Sequence, residues 1–317
     1  MPYFNVEPYI EECIRSLYAQ DIPQEEYEVI CVDDCSPDVS RCIIERLQKE
    51  YPTLRLLVHT ENKRQGGARN TGMKEARGRY IWFIDSDDYI KPNCLRALLE
   101  QAEDENLDIL DFDFDADFNR QQYRKNVEHY DMGPCSGTEY VFNLHKGRWS
   151  WRCSSVWGEL IKKELIADQW FRENVQYEDN DYALKMYALA DRVHHIPAQP
   201  YFYRVVNDST VHKEIKLAQI NDLIQLIKSY TVMVDDMKNI DVRWADGIEE
   251  LIRYISHQVL VYLDVVSVSE QKQFYRTRMG RISGLSKYVG KKTWLSMNSY
   301  CAMKLFKTHD KHRNTII

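Results

Sequence analysis

The 317-residue chain is 44% apolar and carries a net charge of −7, a composition that excludes an intrinsically disordered protein. No apolar run approaches the ~18 residues of a membrane span, and Met1 is not followed by a basic and then apolar leader, so a cytoplasmic protein is expected. Eight scattered cysteines form no CxxC pair and lie at no zinc-binding spacing, so they read as reduced thiols.

In chain order, short apolar runs alternate with helical patterns up to about residue 115, which points to an α/β sheet covered by helices. Strands are predicted at Tyr27 to Val32, Leu54 to His59, Tyr80 to Ile84 and Leu107 to Phe112. Helices are predicted from Pro8 to Gln20, Asp38 to Glu50, Gly67 to Ala76 and Asn93 to Glu105. Such a sheet normally opens on an apolar strand, and only MPYFN precedes Val6, so the first strand is expected to be missing. The pattern is mixed and aromatic from Gly137 to Val206, then long amphipathic helix from Leu217 to about Val266. The final stretch, Gln271 to Ile317, holds eleven Lys or Arg against one acid; its charge of +10 leaves −17 for the rest. With Phe274, Tyr275, Tyr288, Trp294, Tyr300 and Phe306 among those cations, the tail suits an anionic membrane surface or a solvated basic face.

Four stretches carry chemistry. In VDDCSPD, Asp33 and Asp34 end a buried strand, where carboxylates face the ligand crevice of a parallel sheet; the alternative is that Ser36 or Asp38 caps the next helix and the pair is solvated. In GGARNTG, residues 66–72, a helix start and the donor fork of Arg69 suit a phosphate or a base edge. Neither GxGxxG spacing nor a P-loop lysine is present, which argues against dinucleotide and P-loop sites. In YIWFIDSDD an apolar strand ends in Asp85, Ser86, Asp87 and Asp88, hard oxygen ligands suited to Mg²⁺ or Mn²⁺ beside substrate phosphates. In VQYEDNDYALKMY, Glu178 and Asp179 open an amphipathic helix, as a general base or as an ordinary acidic helix start.

These four motifs, in this order from about Pro2 to His212, resemble the family 2 glycosyltransferases, inverting enzymes of the GT-A fold. The resemblance implies that Asp34 meets the uracil base, with Asp33, Ser86 and Pro2 also at the donor nucleotide and Arg69 beside it. It makes Asp85, Ser86 and Asp87 the DxD-type motif, with Asp87 the metal ligand assisted by Asp85, and Asp179 the base, with Glu178 beside it. The opening PYFNVEPYIEECIRSL looks like the element that follows the family's first strand. Trp157 resembles a family tryptophan, with Glu159 in place of the usual lysine, and Tyr203, Arg204 and Ser209 resemble a loop over the donor diphosphate.

The alternating DFDFDADF stretch reads as a strand whose Asp111, Asp113, Asp115 and Asp117 face water, not as a cation site. His194 and His195 read as structural. The expected architecture is therefore α/β, a GT-A-like Rossmann-type mixed sheet flanked by helices over 1–212, followed by a helical region with a basic tail over 213–317. The expected partners are a nucleotide-diphosphate sugar donor and a saccharide or lipid-linked acceptor, with no nucleic acid and with peripheral contact to the anionic inner membrane face through the tail. The rivals are a non-catalytic nucleotide-sugar binder and a nucleotidyltransferase.

Overall fold

In the computed structural model the described residues are 1–116, 131–144, 155–205 and 215–305. The chain divides into two units, Met1–Lys213 and Glu214–Ile317.

The first unit begins with a short strand of two residues. Pro2–Tyr3 form a two-residue β1, parallel to β2 (Val29–Asp33), with Pro2 opposite Val32 and Tyr3 opposite Asp33. Pro2 takes part because its fixed φ suits an extended edge and its missing N–H falls where no donor is required. β2 is buried along its whole length, as a parallel strand covered on both faces must be, and pairs in parallel with β3 (Leu54–Val58). α1 (Ile10–Tyr18) buries Ile10, Cys13, Ile14, Leu17 and Tyr18, one apolar stripe at helical spacing against the sheet. α2 (Ser40–Leu47) precedes β3, and α3 (Arg64–Glu75) follows it.

The rest of the unit is a six-stranded mixed sheet. Its order is β4 (Tyr80–Trp82), β8 (Glu159–Lys162), β6 (Ile109–Ala116), β9 (Val193–Tyr203) and β5 (Tyr89–Ile90), with β7 (Met132–Cys135) also on β9. β6 and β9 run parallel, whereas β4 and β6 are antiparallel to β8. α4 (Leu95–Asp104), α5 (Gly137–Leu144) and α6 (Glu178–Leu189) complete the unit. The predicted strands and helices before residue 116 all form, with ends moved by a few residues.

One expectation is overturned. The alternation in DFDFDADF holds, but Asp111 and Asp113 are each only 2% exposed. β6 is an inner strand of the sheet, so its acidic face meets protein: Asp111 accepts from Tyr140 and His195 and, at 3.4 Å, from Tyr187, whose hydroxyl also reaches Glu159 at 3.0 Å. Hydrogen-bonded partners make that burial tolerable. Asp115 pairs with Lys91, and Asp117 lies outside the described residues. His194 bonds Glu105 and Asp131; burial opposes its charge, but these two acids raise its pKa.

The second unit is helical. α7 (Leu217–Ile240) and α8 (Val242–Val265) are separated by Asp241 alone, which caps α8 by accepting from the Arg243 amide. Their buried stripes include Ile220, Ile224 and Ile227 on one helix and Trp244, Ile248 and Ile252 on the other. α9 (Val268–Arg276) opens on a Ser267–Glu270 capping box, and α10 (Lys291–Asn298) and α11 (Tyr300–Leu305) follow. Lys272, Arg276, Arg278, Arg281, Lys287, Lys291, Lys292 and Lys304 are all exposed. The tail aromatics behave differently from an inserting set: Phe274 is fully buried and the Tyr275 hydroxyl donates to Ser296 O, while Trp294 is 37% exposed. No helix among the described residues is long and apolar enough to cross a membrane.

Candidate active site

Three of the four motifs converge on Arg69, which sits in α3 and is only 4% exposed. Its Nη2 donates to Asp85 Oδ1 at 2.9 Å and its Nη1 to Glu178 Oε1 at 2.5 Å, and its guanidinium lies 5.4 Å from the Phe171 ring centre. The fork that suits a phosphate in the sequence is thus committed to two carboxylates of the protein. Burial by itself would lower the Arg69 pKa, but Asp85 and Glu178 raise it above its ordinary value. A single side chain therefore ties the end of β4 to the start of α6, 109 positions along the chain from residue 69 to residue 178.

The neighbours of Arg69 explain the rest of GGARNTG. A Cβ on Gly66 would lie 2.2 Å from the Arg172 carbonyl oxygen, so only glycine lets α3 approach that loop. Asn70 clamps the same loop, donating to Phe171 O and accepting from Phe171 N, both at 2.9 Å. Thr71 Oγ1 lies 2.8 Å from His59 Nε2, and the other ring nitrogen lies 2.8 Å from Asp34 Oδ1. The Lys63 amide donates to that same Asp34 oxygen, and Ser36 N donates to Asp33 Oδ1. Asp33 and Asp34 are buried and hydrogen-bonded, not solvated, while Asp38 accepts from Ser40 N at the start of α2.

Asp87 is half-buried, and its carboxylate receives no donor from another side chain among the described residues. Burial first, and then the charge of Asp85, pushes its pKa up to about 6. Ser86 is buried between them. Asp88, grouped in the sequence with the possible oxygen ligands, instead accepts from the Tyr201 hydroxyl at 2.5 Å and from Arg204 N at 2.7 Å. Burial, then Asp85 and Asp87, raises its pKa to about 8. Arg204 reaches back to Asp87 O at 2.9 Å and Glu12 Oε2 at 2.7 Å, so the loop after β9 is held at the DSDD turn. Ser209 lies outside the described residues.

Asp179 stands at the first turn of α6, after Tyr177 in the left-handed region at φ 61°. Strain of this kind, about 1–3 kcal/mol, collects where surrounding structure fixes a functional turn; here Arg172 donates to Tyr177 O and to Asp181. Burial and then Glu178 raise the Asp179 pKa to about 7, against the opposing pull of Arg69. Trp157 stacks on Tyr201 at 4.8 Å and on Tyr203 at 5.7 Å, which places it in an aromatic cluster behind the DSDD turn. Pro2 lies one strand over from the site, beside Val32. His59, Asn70 and Asp88 carry much of the scaffold; Asn70 and Asp88 stand inside two of the motifs, whereas the hydrogen-bonding capacity of its ring is the only signal for His59.

The crevice thus gathers five carboxylates (Asp85, Asp87, Asp88, Glu178, Asp179) around two guanidiniums, Arg69 and Arg204. Among the described residues no three acidic, histidine or cysteine side chains converge on one point as a preformed cation site; Asp85 and Asp87, two hard oxygen donors flanking Ser86, are the acids that a hard divalent cation beside a phosphate would use.

Comparison with known proteins identifies the relatives of this chain. EpsJ, an uncharacterized glycosyltransferase of Bacillus subtilis, is 35% identical over 210 residues, covering 64% of this chain and 59% of its own length. The glycosyltransferase GlyG of Streptococcus pneumoniae is 28% identical over 237 residues, 71% of this chain and 76% of its own. The crystal structure of S. aureus TarS 1-349 in complex with UDP-GlcNAc superposes with a TM-score of 0.69 at 20% identity, over 96% of this chain and 86% of TarS 1-349, and shows the same GT-A architecture. The model of glycosyl transferase family 2 matches residues 1–170, more than half of the sequence. The chain belongs to glycosyl transferase family 2.

Proposed function

We propose that this protein transfers a sugar from a UDP-sugar to a hydroxyl of a saccharide or lipid-linked acceptor, with inversion, in the synthesis of a cell-surface polysaccharide or glycolipid. The observation that carries the reading is the Arg69 bridge, because it holds Asp85, next to Asp87, and Glu178, next to Asp179, in one crevice. A donor base would rest by Asp34 and Asp33 at the carboxyl end of β2, where open sheets of this type take ligands. Asp87, with Asp85, would hold Mg²⁺ or Mn²⁺. When bound, such an ion offsets charge on the leaving diphosphate. Asp179 would take the proton of the acceptor hydroxyl as its oxygen attacks the anomeric carbon on the face opposite the leaving group. Arg204, anchored by Asp88, would close over the diphosphate.

Asp87→Ala tests the metal assignment. No other side chain donates to this carboxylate among the described residues, so the fold should survive. UDP affinity in the presence of Mn²⁺, measured by titration calorimetry, should fall at least ~10-fold, which is a loss of about 1.4 kcal/mol. Equal affinity in mutant and parent would remove Asp87 from the metal site.

We further propose that the basic tail holds the enzyme at an anionic membrane surface by charge. Exposed cations contribute about 1 kcal/mol each near such a surface and are screened by salt, and the buried state of Phe274 leaves little aromatic insertion. Sedimentation with phosphatidylserine vesicles should occur at low salt, decline steeply above ~0.15 M, and weaken in the double variant Lys287→Glu, Lys291→Glu. Vesicle binding that ignores both salt and charge reversal would count against the electrostatic reading.

A further inference from the structure

The turn after β3 grips the carboxyl end of β2 at several points. In the parallel register Val58 lies opposite Asp33, and the His59 amide extends the ladder by donating to Asp33 O at 2.9 Å, which brings His59 alongside Asp34. His59 Nδ1 lies 2.8 Å from Asp34 Oδ1, the Lys63 amide donates to that same oxygen at 2.8 Å, and Asn62 Nδ2 donates to Asp34 O at 2.8 Å. The Cys35 thiol donates back to His59 O at 3.3 Å.

The imidazole is held at both of its nitrogens. A carboxylate accepts, so Nδ1 is the donor to Asp34. Nε2 lies 2.8 Å from Thr71 Oγ1, and that hydroxyl also bonds Gly67 O at 3.0 Å, one turn back on α3. The side chains of His59 and Asp34 are 8% and 4% exposed, so this bond is enclosed and little weakened by water.

Two donors on Asp34 Oδ1 occupy both of its lone pairs. Oδ2 receives no donor among the described residues, and it is not one of the side-chain oxygens sealed from solvent. Asp34 thus offers the crevice one acceptor oxygen in a fixed place.

We infer that His59 is a positioning residue that sets the base specificity of the donor site. By engaging Oδ1 together with the Lys63 amide, it makes Asp34 a one-oxygen acceptor for a base with a single ring N–H on its pairing edge. The inference deepens the donor reading given above and rests on it. Uracil presents N3–H between two carbonyls and needs one acceptor. Cytosine carries a lone pair at that ring nitrogen, which a carboxylate oxygen repels, and guanine presents two adjacent N–H donors, of which one would go unmet. An opposed lone pair or an unmet donor in an enclosed site is what lets a pocket reject the wrong base.

The test measures UDP and CDP affinities by titration calorimetry, a size-matched pair that shares the diphosphate and requires no sugar transfer. The parent should prefer UDP by at least ~10-fold, and His59→Leu should bring the two affinities to within ~2-fold of each other by weakening UDP. CDP affinity, which never used the bond, should hold within ~2-fold. His59→Gln keeps a side-chain N–H donor and should retain the parental preference within ~3-fold. A merely structural His59 would lower both affinities together and leave their ratio alone, which would overturn the inference, as would equal ratios in the Leu and Gln forms. If His59→Leu does not fold, Thr71→Val decides, since it removes only the hold on Nε2: the preference should fall at least ~3-fold, and an unchanged ratio overturns the inference. A parent that binds both nucleotides alike, or neither, overturns the donor reading and this inference with it. A parent that prefers UDP beside a His59→Leu form that prefers it equally sinks the inference alone.

Discussion

Arg69→Met is expected to cost about 3–5 kcal/mol of stability and to abolish turnover. The Arg69 side chain is 2% exposed and is bonded to Asp85 and to Glu178, whose side chain is 4% exposed. Removing the guanidinium leaves Glu178 charged and enclosed without its partner, the situation in which breaking a buried ion pair is severe. For a unit of this size each 1 kcal/mol shifts the melting temperature by about 2–4 °C, so a fall of roughly 10 °C should be seen. Arg69→Lys should recover only part of this, since a point charge does not reproduce a fork that serves two carboxylates. The double variant Arg69→Met, Glu178→Gln should be more stable than Arg69→Met alone, because the stranded charge is gone. A single variant that melts with the parent would show that the bridge contributes nothing to the fold and does not assemble the site.

What the sequence made legible is what depends on local pattern. β2 and the run from Tyr80 to Ile84 are continuous apolar stretches that end in acids, β2 as a parallel strand buried along its whole length. Asp33, Asp34, Asp85 and Asp87 could be placed on that basis alone. The pairing of Arg69 with Glu178 could not, because no local rule says which distant acid a buried arginine will meet. Asp111 and Asp113 show the complementary limit. Period two tells which residues share a face of β6, but whether that face meets water depends on which strands and helices later cover it, here β9 with His195 and α5 with Tyr140. Asp88 illustrates a third kind of miss. It sits in the same acidic run as Asp85 and Asp87, and only the approach of β9, with Tyr201 and Arg204, makes it an anchor instead of a ligand. The short β1 also escaped, since two residues give no period to read.

Asp179→Asn should separate chemistry from binding. The carboxylate is raised to about 7 by burial and by Glu178, so in the parent it is half deprotonated near neutral pH. A general base acts only when deprotonated, so parental turnover should climb as pH rises through about 7 and fall away below it. Asparagine keeps the shape but accepts no proton. Turnover should drop by about 10²–10⁴-fold and lose its rise near neutrality, while UDP affinity, set by other residues, should stay within about twofold. The stability of the variant supplies an internal control. A folded-state pKa above the ordinary carboxylate value means that the native protein holds its proton more tightly than the unfolded chain, so the parent loses stability as pH rises through the native pKa. The neutral amide does not titrate, so Asp179→Asn should melt no lower than the parent at pH 8, and its advantage should shrink as the pH is lowered. A variant that melts well below the parent would place Asp179 in the scaffold. One that melts normally and turns over at the parental rate would move the base elsewhere in the crevice.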